Sequence, residues 1–493
     1  MNTHVGPVRS LHRVGFALLV VLAVVFGPSA CVDSMPVSPA RSVKPAATAG
    51  GIVDGARLLI VLTTAGPPRS DLLAAIKAAG GRVERVHASI GVLIVSGMPA
   101  ATARALAQRP DVKAVVADRR IPMVPPRWRY DAGMRHASFA SGPGARGDPH
   151  LAQFYVDSTQ WNMRVTKADQ AWSVANQGSG ARVCILDTGV DPGHIDLQGK
   201  IDATRDTSFV TAPDGSLEPV ANDSVGHGTF VAAIVSSNGV GVASVAPQAT
   251  LCAVKVLDNT GSGSFSDILT GIVYAADVGA DAINMSFGGY VPANDPNALA
   301  LVSVLQQGVD YAAGRGAALF VAAGNDAVNT NTGVGPSTNV LDSINLPVAL
   351  QHIVSVGATG PVDQTNFDRI ASYSEYGNAG VDVFAPGGDF VDTTQTKDLV
   401  ISACSRFSDT VCSDGLHYAI GDGTSFAAPH ASGEAAVIAA QSGFTVRGHV
   451  LDQCLLNSAD ELTGVRIDTR YGYGRIDVLT AARGCRTPWS FVP

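Results

Sequence analysis

The 493-residue chain is poor in charge: Lys, Arg, Asp and Glu make up 15% of it, against 46% hydrophobic residues. That balance excludes a largely disordered chain and fits a globular protein of two or three domains with a sizeable core. Basic tracts are absent and the net charge is −8, which excludes nucleic acid as the expected partner. Past residue 31 there is no apolar run of the roughly 20 residues that a membrane-spanning helix needs. Internal repeats are missing, and so is the helical pair of histidines that marks a zinc hydrolase. Glycine, by contrast, is abundant at 53 residues, as suits many tight turns and close backbone approaches.

What is present is ordered along the chain. Arg9, His12 and Arg13 precede an apolar run from Phe16 to Phe26 and then small residues, the pattern of an export signal over residues 1–31. The mature protein is therefore expected outside the cytoplasm, where disulfides form. Residues 32–56, rich in Pro, Ala, Ser and Gly, read as a flexible leader. Residues 57–118 hold apolar strand patterns ("RLLIVLT", "RVERVHAS", "GVLIVSG", "DVKAVVAD") and two helical patterns, Ser70–Gly80 and Pro99–Gln108. Their order, βαββαβ, is that of a ferredoxin-like unit. Residues 119–152 lack periodicity and read as an exposed linker open to cutting. From 153 to 485, β-branched runs ("ARVCILD", "TLCAVKVL", "DAINMSF", "AALFVAAG", "HIVSVGA") alternate with helical stretches such as Asp267–Gly279 and Asn297–Gly314. The alternation predicts an α/β domain with a mostly parallel sheet covered by helices on both faces; residues 486–493 form a tail.

Within that domain, "CILDTGVDPGHIDL" (Cys184–Leu197) runs an apolar strand into Asp187. An aspartate so placed belongs to a pair of acids sharing a proton, to a histidine that it orients, or merely to a polar turn after the strand. The first option needs a second apolar run into Asp-Thr-Gly or Asp-Ser-Gly, and neither "APDGS" nor "CSDGL" has the flanks for it. The second needs a histidine and a nucleophile. "DSVGHGTFVAAIVSS" sets His227 at the head of an apolar helix, and "GDGTSFAAPHASGEAAVIAA" sets Ser425 at the head of another. There the serine's own N–H faces any oxyanion forming beside it. The segments "ILDTGVD", "GHGTFVA" and "GTSFAAPH", in that order, resemble the three signatures of the subtilisin-like serine peptidases. The likeness extends over about residues 153–482 and includes "INMSFGG", "VAAGND" and "YGYGRIDVLTAA".

That resemblance implies a three-layer subtilisin-like fold preceded by a ferredoxin-like propeptide. It implies an exported serine endopeptidase acting through Asp187, His227 and Ser425, made as a self-inhibited precursor whose linker carries the maturation site. Asn325 would add a side-chain amide to the oxyanion hole, worth about 3–4 kcal/mol by the magnitude known for subtilisin. Substrate would bind as an added β-strand between Gly261–Ser262–Gly263 and Ser286–Phe287–Gly288. Catalysis would need no cofactor. A structural calcium would use Asp196 and Asn238 with loop carbonyls. The expected partners are peptide or protein substrates and the chain's own propeptide, with the enzyme a monomer. A catalytically silent scaffold on the same fold is the competing reading.

The seven cysteines complete the sequence expectations. Cys404 and Cys412 sit between apparent hairpin arms, "LVISAC" and "LHYAIGDG", and are expected to pair. Cys454 and Cys485, flanking the last helical and glycine-rich segments, form a second expected pair. Cys184 and Cys252, inside buried-looking strands, are expected as free thiols. Cys31 follows "FGPSA" at the end of the export signal, an arrangement that resembles a bacterial lipoprotein, although Pro28 departs from the usual aliphatic residue. A lipid anchor on Cys31 and ordinary cleavage into a secreted protein both remain open.

Overall fold

A computed structural model describes residues 52–122, 127–129, 147–391, 396–408, 412 and 418–484. The expectations for the export signal, most of the leader, Cys31, Cys485 and the C-terminal tail lie outside the described residues. Among the described residues no helix is long and apolar enough to cross a membrane.

The N-terminal part contains strands β1 (Leu58–Leu62), β2 (Arg82–His87), β3 (Val92–Ser96) and β4 (Val112–Ala117). They form an antiparallel sheet in the order β2-β3-β1-β4. Helices Ser70–Ala78 and Ala100–Leu106 alternate with the strands. The apolar runs of β1 and β3 are continuous because both faces of this sheet are buried. Leu58, Ile60, Leu93 and Val95 pack on the two helices with Leu72, Ile76 and Leu106. Leu59, Val61, Val92, Ala114 and Val116 point the other way, into a core shared with Phe265, Leu269, Leu301 and Leu305 of the following domain. Strand alternation thus makes β1 and β3 the seam between two domains. The end of the expected flexible leader is also packed: Ile52 is buried in the N-terminal core, and the Asp54 carboxylate accepts from Ala100 N at 2.8 Å.

The expected linker carries two short strands, β5 (Arg120–Pro122) and β6 (Arg127–Arg129). These are additions to sheet edges of the following domain, too short to show periodicity. That domain contributes β7 (Arg182–Asp187), β8 (Thr207–Ser208), β9 (Thr250–Lys255), β10 (Ser262–Ser264), β11 (Ala282–Met285), β12 (Gly289–Pro292), β13 (Ala318–Ala322), β14 (Ser343–Leu346), β15 (Val354–Thr359), β16 (Val383–Pro386), β17 (Val400–Ala403) and β18 (Tyr418–Asp422). Seven of these strands form a parallel sheet in the order β16-β15-β13-β11-β7-β9-β8. Its faces are separate cores. Val183 and Ile185 of β7 meet helices His227–Val235 and Thr424–Gln441. Cys184 and Leu186 meet helices Phe265–Asp277 and Pro296–Gly314. A sheet covered on both sides has no use for polar alternation, which is why its strands read as plain apolar runs.

Candidate active site

Asp187 ends β7 and is fully buried, and His227 is the first residue of its helix, also fully buried. His227 Nδ1 lies 2.7 Å from Asp187 Oδ1. With Nδ1 committed to a carboxylate as donor, Nε2 is the ring's basic position. Two glycines permit this approach. Gly226, just before His227, has φ +85°, and a Cβ on Gly228 would stand 2.0 Å from the Gly189 carbonyl oxygen. The Phe230 and Phe426 rings stack 4.1 Å apart, joining the histidine helix to the serine helix. The His227 ring is 5.8 Å from that of Phe426, the residue after Ser425.

Ser425 is the second residue of helix Thr424–Gln441, and Ser286 Oγ donates to its carbonyl oxygen at 2.7 Å. Asn325 Oδ1 accepts from both Thr424 N and Thr424 Oγ1, each at 2.9 Å. Those two donors fix the amide's orientation and leave Nδ2 as its donor. Ser425 and Asn325 line one cleft with Ser286, Phe287 and Gly288, a depression with about 310 Å³ of open space. Among the other lining residues, Tyr290, Ala322, Gly324, Asp326, Asn345 and Thr424 were not singled out from the sequence. Gly324 and Asp326 flank Asn325 in "AAGND", so the motif itself pointed at them. Tyr290 and Asn345 meet only because β12 pairs with β14, and nothing local announces that. Tyr290 donates to Glu375 at 2.8 Å, and burial raises the Glu375 carboxyl to about 7.

The Gly261–Ser262–Gly263 edge is covered by the chain itself. Strand β5 pairs antiparallel with β10, placing Ile121 opposite Gly263 and Pro122 opposite Ser262. Strand β6 pairs antiparallel with β18, placing Arg127 opposite Asp422, three residues before Ser425. Residues 120–122 and 127–129 therefore occupy two strand edges of the following domain, the second ending its pairing three residues before Ser425.

The other expected sites divide. Cys404 and Cys412 are joined, between the antiparallel arms β17 and β18. Cys454 is disulfide-bonded, while Cys485 lies outside the described residues. Cys184 and Cys252 are not free thiols: they form a disulfide, with Cα atoms 4.5 Å apart. The physical reason is strand order, since β7 and β9 are parallel neighbours and these residues are register partners on the same face.

For calcium, the donor set at Asp196 and Asn238 does not fit a cation. Asp196 Oδ1 accepts from Val240 N at 2.6 Å, and Oδ2 accepts from Gly241 N at 3.0 Å, Val242 N at 3.1 Å and Tyr418 Oη at 2.7 Å. Asn238 Nδ2 donates to the carbonyls of Ile195 at 3.0 Å and Gln198 at 2.8 Å. The oxygens a calcium ion would gather are already turned to N–H and O–H donors.

The subtilase family profile matches residues 178–474. A thermophilic serine proteinase of Bacillus sp. (strain AK1) is 35% identical over 66% of this chain and 68% of its own. Thermitase of Thermoactinomyces vulgaris is 35% identical over 67% of this chain and 98% of its own. Among solved structures, an epidermin leader peptide processing serine protease from Staphylococcus aureus matches with a TM-score of 0.67 at 21% identity, over 87% of this chain and 98% of its own, a likeness of fold.

Proposed function

The chain belongs to the subtilase family, and from that premise we propose that it hydrolyses peptide bonds through Asp187, His227 and Ser425 and is made as an exported, self-inhibited precursor. One observation carries this reading: a buried Asp187–His227 pair at 2.7 Å, on a helix packed against the one that opens with Ser425, beside a cleft that Ser425 shares with Asn325.

In the first step Ser425 Oγ attacks the scissile carbonyl carbon while its proton passes to His227 Nε2. Asp187 holds the imidazole tautomer and stabilises the imidazolium. The oxyanion is met by the Ser425 N–H and by Asn325 Nδ2. Collapse breaks the C–N bond as His227 returns the proton to the leaving amine. Water then repeats the cycle on the acyl-enzyme. Substrate adds as a strand, and the chain's own β5 and β6 occupy that kind of place on β10 and β18, which supports self-inhibition. The Cys184–Cys252 disulfide supports an oxidising destination, in keeping with the export pattern at the N-terminus.

Ser425→Ala tests the reading. The purified variant is expected to lose peptidase activity by more than a thousandfold, to escape labelling by a fluorophosphonate, and to stay full-length while the wild type shortens to a start between residues 119 and 152. Wild-type protein that takes no label and cuts no casein would instead favour the silent scaffold.

A further inference from the structure

Asp223 stands four residues before His227 and is fully buried. Its Oδ1 accepts from Thr188 Oγ1 at 2.7 Å and Gly226 N at 2.9 Å. Its Oδ2 accepts from Thr229 N at 2.8 Å and Thr229 Oγ1 at 2.7 Å. Both hydroxyls are themselves acceptors, Thr188 Oγ1 from Gly228 N at 3.0 Å and Thr229 Oγ1 from Asp191 N at 3.0 Å. The Thr229 proton is given to Asp223, and the Thr188 proton lies between Asp223 at 2.7 Å and Asp187 Oδ1 at 3.2 Å. Thr188 follows Asp187 directly, and Gly226, Gly228 and Thr229 surround His227. One carboxylate thus ties the end of β7 to the start of the histidine helix.

We propose that Asp223 is a positioning residue of the hydrolytic site: it locks Asp187 and His227 at their working distance, and its negative charge adds to that of Asp187 in favouring the imidazolium. The proposal rests on the serine-peptidase reading. Burial pushes the Asp223 carboxyl up, but four aimed donors occupy its lone pairs and hold it charged. The charged groups around it are Asp187, His227 and, from β9, Lys255. Lys255 donates to the Thr188 carbonyl at 2.5 Å and pairs with Glu218 at 3.2 Å. Two acids and one buried lysine therefore bracket the strand end that orients the base, and removing one acid leaves the histidine with less to favour its proton.

The test uses processed protein, with labelled casein for steady-state rates and a fluorophosphonate for inactivation rates across pH. Asp223→Asn keeps the size but sets an NH2 group against N–H donors. It is expected to lower kcat at least tenfold with KM within twofold, and to move the acid limb of the inactivation profile to lower pH. Thr188→Val cuts the bridge, and with it the 3.2 Å contact to Asp187 Oδ1, without removing a charge, so kcat is expected to fall while the acid limb moves less than in Asp223→Asn. A folded Asp223→Asn protein with wild-type kcat and an unmoved acid limb overturns the proposal. If Asp223→Asn does not fold, wild-type kcat in Thr188→Val overturns it equally. Wild-type protein that neither cleaves casein nor takes the label sinks the serine-peptidase reading itself, a result distinct from either.

Discussion

Glu434 sits on the serine helix, fully buried, and among the described residues neither carboxyl oxygen has a hydrogen-bond partner. Its charged surroundings make matters worse. Burial raises its carboxyl well above the usual range, and Asp477 and Asp460 push the same way, although Lys167 engages both at 2.6 and 2.7 Å. The folded protein therefore keeps Glu434 protonated at a pH where the unfolded chain has released that proton. Stability is intact below the ordinary glutamate range near 4.5 and declines as pH rises from there toward the raised folded value. Glu434→Gln removes the titration. In a Ser425→Ala background, which prevents self-digestion, it should match its parent at pH 4 and exceed it at pH 9 by about 1–3 kcal/mol. Parallel Tm–pH curves for the two proteins would show that Glu434 does not titrate on unfolding. A buried glutamate in an apolar helix was plain in "GEAAVIAA", but its lack of a partner was not. The proposed triad of Asp187, His227 and Ser425 was legible because each member lies in its own local motif. Asp223 was printed beside His227, yet its importance comes from Thr188, which only the fold brings alongside.

At the scale of elements, alternation of strand and helix was readable because a parallel sheet demands long connections and uniformly apolar strands. Strand order was not readable, and two sequence expectations depended on it. Cys184 and Cys252 meet because β7 and β9 are neighbours. Likewise β5 and β6 looked like linker because three residues on a borrowed edge carry no period. The segment between His194 and Val242 is held by Asp196 much as a metal would hold it, with three backbone N–H groups and the Tyr418 hydroxyl converging on one carboxylate. Four prior donors make a cation redundant there, so Tm in excess EDTA should equal Tm in millimolar calcium. Asp196→Asn should still lower stability by about 2–3 kcal/mol, since it weakens bonds to a charged acceptor and leaves buried N–H groups poorly met. A calcium-dependent rise in Tm that vanishes in Asp196→Asn would restore the ion to this site.

At the scale of the whole molecule, the seam between the N-terminal sheet and the catalytic domain combines apolar packing with buried charge. Arg57 reaches Asp267 at 2.8 Å across the seam and Glu84 at 2.9 Å on its own side. Asn297 both donates to and accepts from the Ala117 backbone, at 3.0 Å each. Two titratable groups in this seam respond to acid in opposite senses. His87 Nε2 meets Thr270 Oγ1 at 2.9 Å, and burial lowers its pKa from 6.5 to about 4. Asp118 accepts from Ser266 N at 3.1 Å and from Ser266 Oγ at 2.5 Å, and burial raises its pKa from 3.8 to about 6. Separation of the domains would return both to ordinary values. Docking through His87 is thus strongest above pH 6.5 and is lost as pH falls toward 4. Docking through Asp118 runs the other way, strongest below its ordinary 3.8 and lost as pH rises through 6. The two oppose each other in the wild type, so once the connecting chain has been cut, co-elution of the N-terminal fragment with the catalytic domain should change less between pH 4.5 and 7.5 than in a variant that lacks either group. Asp118→Asn removes the group that opposes His87 and should hold the fragment less tightly at pH 4.5 than at pH 7.5. His87→Asn leaves Asp118 unopposed by His87 and should bind more tightly at pH 4.5 than at pH 7.5. Gel filtration of the cut proteins reads both, and a shift of both variants in the same direction would mean that other groups govern release.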